Sequence, residues 1–225
     1  MDVSHQNQRV QKVADFVHSY LREKHAEQIE KDSESMPEGY GSNYRWEHTL
    51  RVAQYGKQIA LAEGADLELV IVACLLHDVS HFEIEGNYKD HGRVSSKIAR
   101  TFLTSLDYSP EEIANICYSV AVHVDGKADF DHPETLEAKC VSDADNIDRF
   151  GVLRIVKRIS EDLNDYERLI ETGKDAIKRY QKYIDDRVLE TNTGNIFFRI
   201  QLERFIKFWK ELIEESHLTK LAKLE

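Results

Sequence analysis

Six residues of this chain, His48, His77, Asp78, His91, His123 and Asp145, are of the types that ligate divalent metals, and their positions point them at the core. His77-Asp78 closes the run Leu69-Val70-Ile71-Val72-Ala73-Cys74-Leu75-Leu76. An imidazole and a carboxylate at the inner end of a buried helix are costly unless something pairs with them. A divalent cation satisfies both at once. Helical spacing turns the others inward as well. His48 shares a phase with Val52, Tyr55 and Ile59, and His91 with Val94, Ile98 and Phe102. His123 follows Ile116 and Val120, and Asp145 lies in phase with Ala138, Val141 and Val152. A single inward histidine is ordinarily satisfied by a backbone carbonyl. Four of them on different segments, together with two aspartates, would leave several polar groups unmet at about 1–3 kcal/mol each, and one shared metal site removes that cost. Asp143 and Asp145 point about 200° apart on a helix, so Asp145 is the candidate ligand. Asp148, on the same face as Asp145, is placed to orient a ligand histidine.

Only helices are available to position these groups. Prolines occur at positions 37, 110 and 133, and strand-like alternation is nearly absent. Helical periodicity predicts a helix over roughly 5–31, a flexible stretch Ser33–Ser42, and a helix over roughly 44–63 ended by Gly64. Asp66 caps the next, expected to run to about residue 80, and a loop with Gly86 precedes one over roughly 90–106. Ser109-Pro110-Glu111-Glu112 is a strong helix start for a segment to about 123, and Pro133 is expected to open another. Later helices are expected over roughly 149–160, 164–190 and 195–218. On the last, Ile196, Phe197, Ile200, Phe205, Trp209 and Leu212 form a packing face or a homodimer seam.

The 225 residues, 41% of them hydrophobic, suffice for a large core. Cys74, Cys117 and Cys140 read as reduced core residues of a reducing compartment. The first thirty residues lack the apolar centre of a signal peptide, and no apolar run is long enough to span a membrane. The expected location is the cytoplasm. A net charge of −11 argues against nucleic acid or an anionic membrane as partner.

Trp46-Glu47-His48-Thr49-Leu50-Arg51-Val52, Ala73-Cys74-Leu75-Leu76-His77-Asp78-Val79 and Ser142-Asp143-Ala144-Asp145-Asn146-Ile147-Asp148 together resemble the H…HD…D pattern of the HD-domain superfamily. Its members are all-α metal-dependent phosphohydrolases, with a minority of di-iron oxygenases. The resemblance covers about residues 44–150, and Asp90-His91-Gly92-Arg93-Val94-Ser95 with His123 extends it to small bacterial HD hydrolases. It implies an all-α, multi-helix HD-type core; the flanking N- and C-terminal helices, with the C-terminal annex over about 151–223, rest on composition alone, and the whole is expected to form a single compact domain. It implies His48, His77, Asp78 and Asp145 as metal ligands. His91 and His123 stand in the order of the extra ligands in dinuclear members such as the HD-GYP phosphodiesterases, so one or two metals per chain remain open. The GYP signature is missing, and cyclic-dinucleotide specificity is not implied.

The implied reaction is hydrolysis of a small phosphorylated metabolite or nucleotide by a hydroxide generated at the metal. Mn, Fe, Mg, Ni and Zn are not distinguished by a mixed histidine and carboxylate set. Asp78 is expected to ligate and to accept a hydrogen bond from the attacking water, and His81, His91 or His123 to protonate the leaving group. Arg51 and Arg149, one turn past His48 and Asp145, and Arg93 are candidates for holding phosphate. His77-Asp78-Val79-Ser80-His81 mimics a zinc-protease motif, but Asp stands where that chemistry needs Glu. The rivals are a di-iron oxygenase and a non-catalytic, metal-stabilised sensing protein.

Overall fold

A computed structural model describes residues 3–31, 41–84, 87–162, 165–186 and 188–217. Positions 33–40 of the expected flexible stretch, Gly86 and the side chain of His5 lie outside the described residues. Among those described the chain is helical, without strands: α1 (Val3–Lys31), α2 (Ser42–Glu63), α3 (Leu67–Leu76), a one-turn 3-10 helix (Tyr88–Asp90), α4 (His91–Leu103), α5 (Pro110–Val122), α6 (Leu136–Asp148), α7 (Val152–Asp162), α8 (Tyr166–Asp186) and α9 (Asn192–His217). It divides into two compact units, Met1–Asp148 and Arg149–Glu225. No helix of the described residues is long and apolar enough to cross a membrane.

The first unit is built around α3. Its apolar run has no polar face, so it is buried nearly all round, packed by α1, α2, α5 and α6. Asp66 caps its start by accepting from the Leu69 amide at 3.1 Å. Gly64, at φ 81°, ends α2 in the left-handed conformation that glycine adopts without strain. Ser109 and Glu112 close a reciprocal capping box at the start of α5. α1 presents Val13, Val17 and Leu21, all fully buried, to this core. Arg9 on the same helix meets Glu68 of α3 in two bonds of 2.8 Å, and the Tyr108 hydroxyl donates to the same carboxylate at 3.1 Å.

Three expectations are corrected in the first unit. α3 stops at Leu76, and residues beyond it wind through tight turns with Val79 N–Leu76 O, His81 N–Asp78 O and Glu83 N–Ser80 O bonds of 3.2, 3.0 and 2.9 Å. Ser80 pins these turns, its hydroxyl donating to the His91 carbonyl at 3.0 Å. α6 begins at Leu136 rather than at Pro133, because Thr135 supplies the cap that Ala138 N needs, at 3.2 Å. α4 buries Ser95, Ser96, Ala99 and Leu103 along with His91, not the Val94, Ile98 and Phe102 row. Small residues on that face let α4 lie close to α5.

The second unit has its own core of Ile155, Leu169, Ala176, Phe205 and Trp209, joined by Phe150, Tyr180 and Leu212. The expected α9 stripe splits: Phe205 and Trp209 are buried while Ile196 and Ile200 are 60% and 39% exposed. The buried row is instead Phe198, Leu202, Phe205, Ile206 and Trp209. All three cysteines are free and buried.

Candidate metal centre

Close helix approach brings the histidines together. On α2, a Cβ at Gly56 would stand 2.5 Å from Cys74 Sγ and 3.1 Å from Val70 Cγ1. Only the bare backbone lets α2 lie against α3 and carry His48 to His77. Between α4 and α5, a Cβ at Gly92 would stand 2.6 Å from the Ala121 carbonyl oxygen and 3.1 Å from that of Val120. His91 and His123 face each other across this second close contact.

Hydrogen bonds fix each ring's tautomer. A ring nitrogen that faces a carbonyl must carry the hydrogen. His77 Nδ1 donates to the Cys74 carbonyl at 2.7 Å, His91 Nδ1 to that of Tyr88 at 2.6 Å, and His123 Nδ1 to that of Val120 at 2.7 Å. His48 Nδ1 donates to Asp148 Oδ2 at 2.7 Å, the orienting contact expected of Asp148. Every neutral ring therefore turns an Nε2 lone pair inward. These lone pairs face one another in two couples, His48–His77 at 3.3 Å and His91–His123 at 3.1 Å.

The carboxylates stand among them. Asp145 Oδ1 lies 3.4 Å from His48 Nε2 and 3.9 Å from His77 Nε2. Asp78 reaches both couples. Its Oδ2 is 3.3 Å from His77 Nε2 and 3.5 Å from His48 Nε2, while its Oδ1 is 3.1 Å from His91 Nε2 and 3.9 Å from His123 Nε2. That Oδ1 is buried without a hydrogen-bond partner. None of the six residues is more than 6% exposed. Lone pairs aimed at lone pairs and carboxylate oxygens repel unless a cation lies between them. His48, His77 and Asp145, and likewise His77, Asp78 and His123, each offer ligand atoms within 4.8 Å of one another. The donor set fits one or two divalent metals of the nitrogen- and oxygen-preferring kind.

Without metal, protons do this work. Burial opposes a charge on His48, but Asp145, Asp148 and Asp78 overcome it and push that ring up to about 10. Burial likewise opposes charge on His91, but the Asp78 carboxylate, to which a protonated Nε2 would donate, raises it nonetheless. Burial and the neighbouring His77 bring His123 down to about 3. In the second couple, then, His91 takes the proton and His123 stays neutral. Asp78 is held well below the usual carboxylate range, because His77 and Arg45 outweigh the burial that would raise it.

The remaining candidates have partners or places of their own. Arg51 gives Nε and one Nη to Asp148 at 2.7 and 3.2 Å, so it braces the carboxylate that holds His48. Arg93 is gripped by Asp90 and by Asp125, the latter at 2.9 Å. Arg149 is exposed and opens the second unit. His81 accepts from an Arg45 Nη at 3.1 Å and gives its Nδ1 hydrogen to the Tyr88 hydroxyl at 3.2 Å. Burial, with the Arg45 charge, brings His81 down to about 3 and keeps it neutral. Arg45 itself was not foreseen. It lies three residues before His48, on the same face of α2, and that spacing could have found it.

Residues 45–149 match the HD domain family. The chain is 28% identical over 141 residues to YpgQ of Bacillus subtilis, an uncharacterized protein, a match that spans 60% of this chain and 64% of that one. A predicted HD superfamily hydrolase from an uncultured Thermotogales bacterium shares the fold with a TM-score of 0.64 at 18% identity, over 96% of this chain and 99% of that one. The crystal structure of B. subtilis YpgQ in complex with ADP superposes with a TM-score of 0.56 at 18% identity, over 92% and 96%.

Proposed function

The chain is an HD-domain protein, and from that premise we propose that it is a metal-dependent phosphohydrolase acting on a small phosphorylated metabolite or nucleotide. The observation that carries this reading is the pair of facing imidazole couples joined by Asp78. His48, His77, Asp78 and Asp145 would hold one divalent metal, and His91 and His123 with the other oxygen of Asp78 a second. A metal in such a site supplies Lewis acidity, lowering the pKa of water and polarising a phosphoryl oxygen. The protein fixes the geometry. Asp148, braced by Arg51, sets the His48 ring, and the carbonyls of Cys74, Tyr88 and Val120 set the other three. With one metal bound, His91 and His123 would be left as the side chains that could pass a proton to a leaving group. A nucleotide is favoured within this class by the ADP bound to YpgQ, and the charge of −11 speaks against a nucleic acid. Free, buried cysteines favour a cytoplasmic setting.

The test is metal analysis of purified protein, followed by phosphate release from a panel of phosphomonoesters, phosphodiesters and nucleoside polyphosphates. We expect bound transition metal and turnover that stops in chelator and returns with metal. Fully loaded protein that releases no phosphate from any of them would overturn the proposal in favour of a sensing role. A di-iron oxygenase is the second reading, favoured by the His91–His123 couple across Asp78. Turnover that demands O2, with the oxygen of labelled O2 appearing on carbon, would establish it instead.

A further inference from the structure

Arg45 is a buried cation, 9% exposed, beside the metal centre. One Nη donates to Asp78 Oδ2, the oxygen nearest His48 and His77, and the other donates to His81 Nε2 at 3.1 Å. These two bonds fix the plane of the guanidinium. Its Nε–H is buried and has no acceptor. A buried donor left unmet is destabilising, and sites built to bind an anion retain such donors because the ligand supplies the missing oxygen.

The surroundings explain how this donor stays available. Arg51 and Arg93 spend their donors on carboxylates. His81, by contrast, holds Arg45 as a neutral acceptor and adds no negative charge. Tyr88 fixes the His81 ring from its far side. Asp78 pairs with the guanidinium, and the same oxygen lies 3.5 Å and 3.3 Å from the Nε2 atoms of His48 and His77, where a metal would claim it. Metal binding would therefore leave Arg45 with both an unmet charge and an unmet hydrogen.

We propose that Arg45 grips the reacting phosphoryl group, with its Nε–H as the donor reserved for a substrate oxygen and with Asp78 and His81 as the braces of its fork. This rests on the phosphohydrolase reading given above. Lysine would keep the charge at this position but cannot present the planar fork. The probe is inorganic phosphate, titrated calorimetrically into the metal-loaded full-length chain, for the wild type, Arg45→Lys and Arg45→Ala, with metal content measured for each. We expect saturable binding by the wild type, at least tenfold weaker binding by Arg45→Lys at unchanged metal content, and a larger loss in Arg45→Ala. Should Arg45→Ala not fold, Arg45→Lys decides. Wild-type affinity in Arg45→Lys at full metal content would overturn the role of Arg45 and leave the phosphohydrolase reading standing. Loss of metal from Arg45→Lys would overturn it too, by showing that Arg45 acts through Asp78. Absence of phosphate binding by the loaded wild type would overturn the role of Arg45, while phosphate release from the substrate panel decides the phosphohydrolase reading separately.

Discussion

Gly92→Ala is the smallest change that should separate the two histidine couples. The added Cβ would stand 2.6 Å from the Ala121 carbonyl oxygen, with Val120 O at 3.1 Å and His123 Nδ1 at 3.3 Å behind it. A carbon and a carbonyl oxygen come no closer than about 3.3 Å in comfortable contacts. Both partners are backbone, so α4 and α5 must part by about 0.7 Å to reach that spacing. His91 is the adjacent residue and His123 ends α5, so the displacement falls on the 3.1 Å between their Nε2 atoms. Metal sites tolerate about 0.2 Å in ligand distance. The second metal should therefore bind about 10–100-fold more weakly. The first couple, on α2 and at the end of α3, is not moved. Overpacking of this kind costs about 1–3 kcal/mol, a fall in melting temperature of about 2–12 °C for a unit of this size. Stepwise metal titration with elemental analysis, beside a thermal melt, reads both effects. A variant that binds each metal as the wild type does, and melts with it, would refute the reasoning from close helix approach.

Asp148→Asn should weaken metal binding about 10–100-fold without unfolding the protein, since it removes the carboxylate that His48 and Arg51 share; unchanged affinity in a competition titration would contradict that bracing role. Metal binding to the metal-free protein should release protons, because His48 is raised to about 10 and His91 is raised as well. Affinity should rise with pH by about tenfold per unit for each proton released, until the raised values are passed. Calorimetry in buffers of different ionisation enthalpy counts those protons, and a heat independent of buffer would speak against it. Chelation should lower thermal stability: at metal a hundredfold above its dissociation constant the loss is about 2.7 kcal/mol, or about 5–11 °C. His77→Ala should melt with the chelated wild type and not shift on adding metal.

The cluster of histidines and aspartates was legible because burial and spacing are encoded together. His48, His123 and Asp145 repeat the phase of Val52 and Ile59, of Ile116 and Val120, and of Ala138 and Val141, and those rows are buried in the helices, whereas His91 is buried on a different row from the one its apolar neighbours suggested. The capping signals at Asp66 and Ser109 were legible for the same reason, being local chemistry. What failed depended on contacts distant in sequence. The end of α3 at Leu76 is enforced by Ser80 reaching His91 and Ser95, which no local window contains. The buried face of α4 is chosen by the nearness of α5, which rewards Ser95, Ser96 and Ala99 over larger residues. Arg51 looked like a phosphate clamp because its turn is right; only the fold shows Asp148 already holding it. Arg45 shares the inner face of α2 with His48, and its burial shows only once the helices are packed.

The clasp between Arg9 and Glu68 bears on where this domain begins. The family match starts at residue 45, yet α1 lies wholly before it. A fragment cut at that boundary would strip Val13, Val17 and Leu21 from the face of α3. It would also leave the Glu68 carboxylate, 7% exposed, beside Tyr108 with its counter-charge gone. An orphaned buried charge costs about 3–5 kcal/mol, a large share of what holds a small domain together. The cooperative folding unit is therefore longer than the stretch that matches the family, and its first helix is an integral wall of the domain.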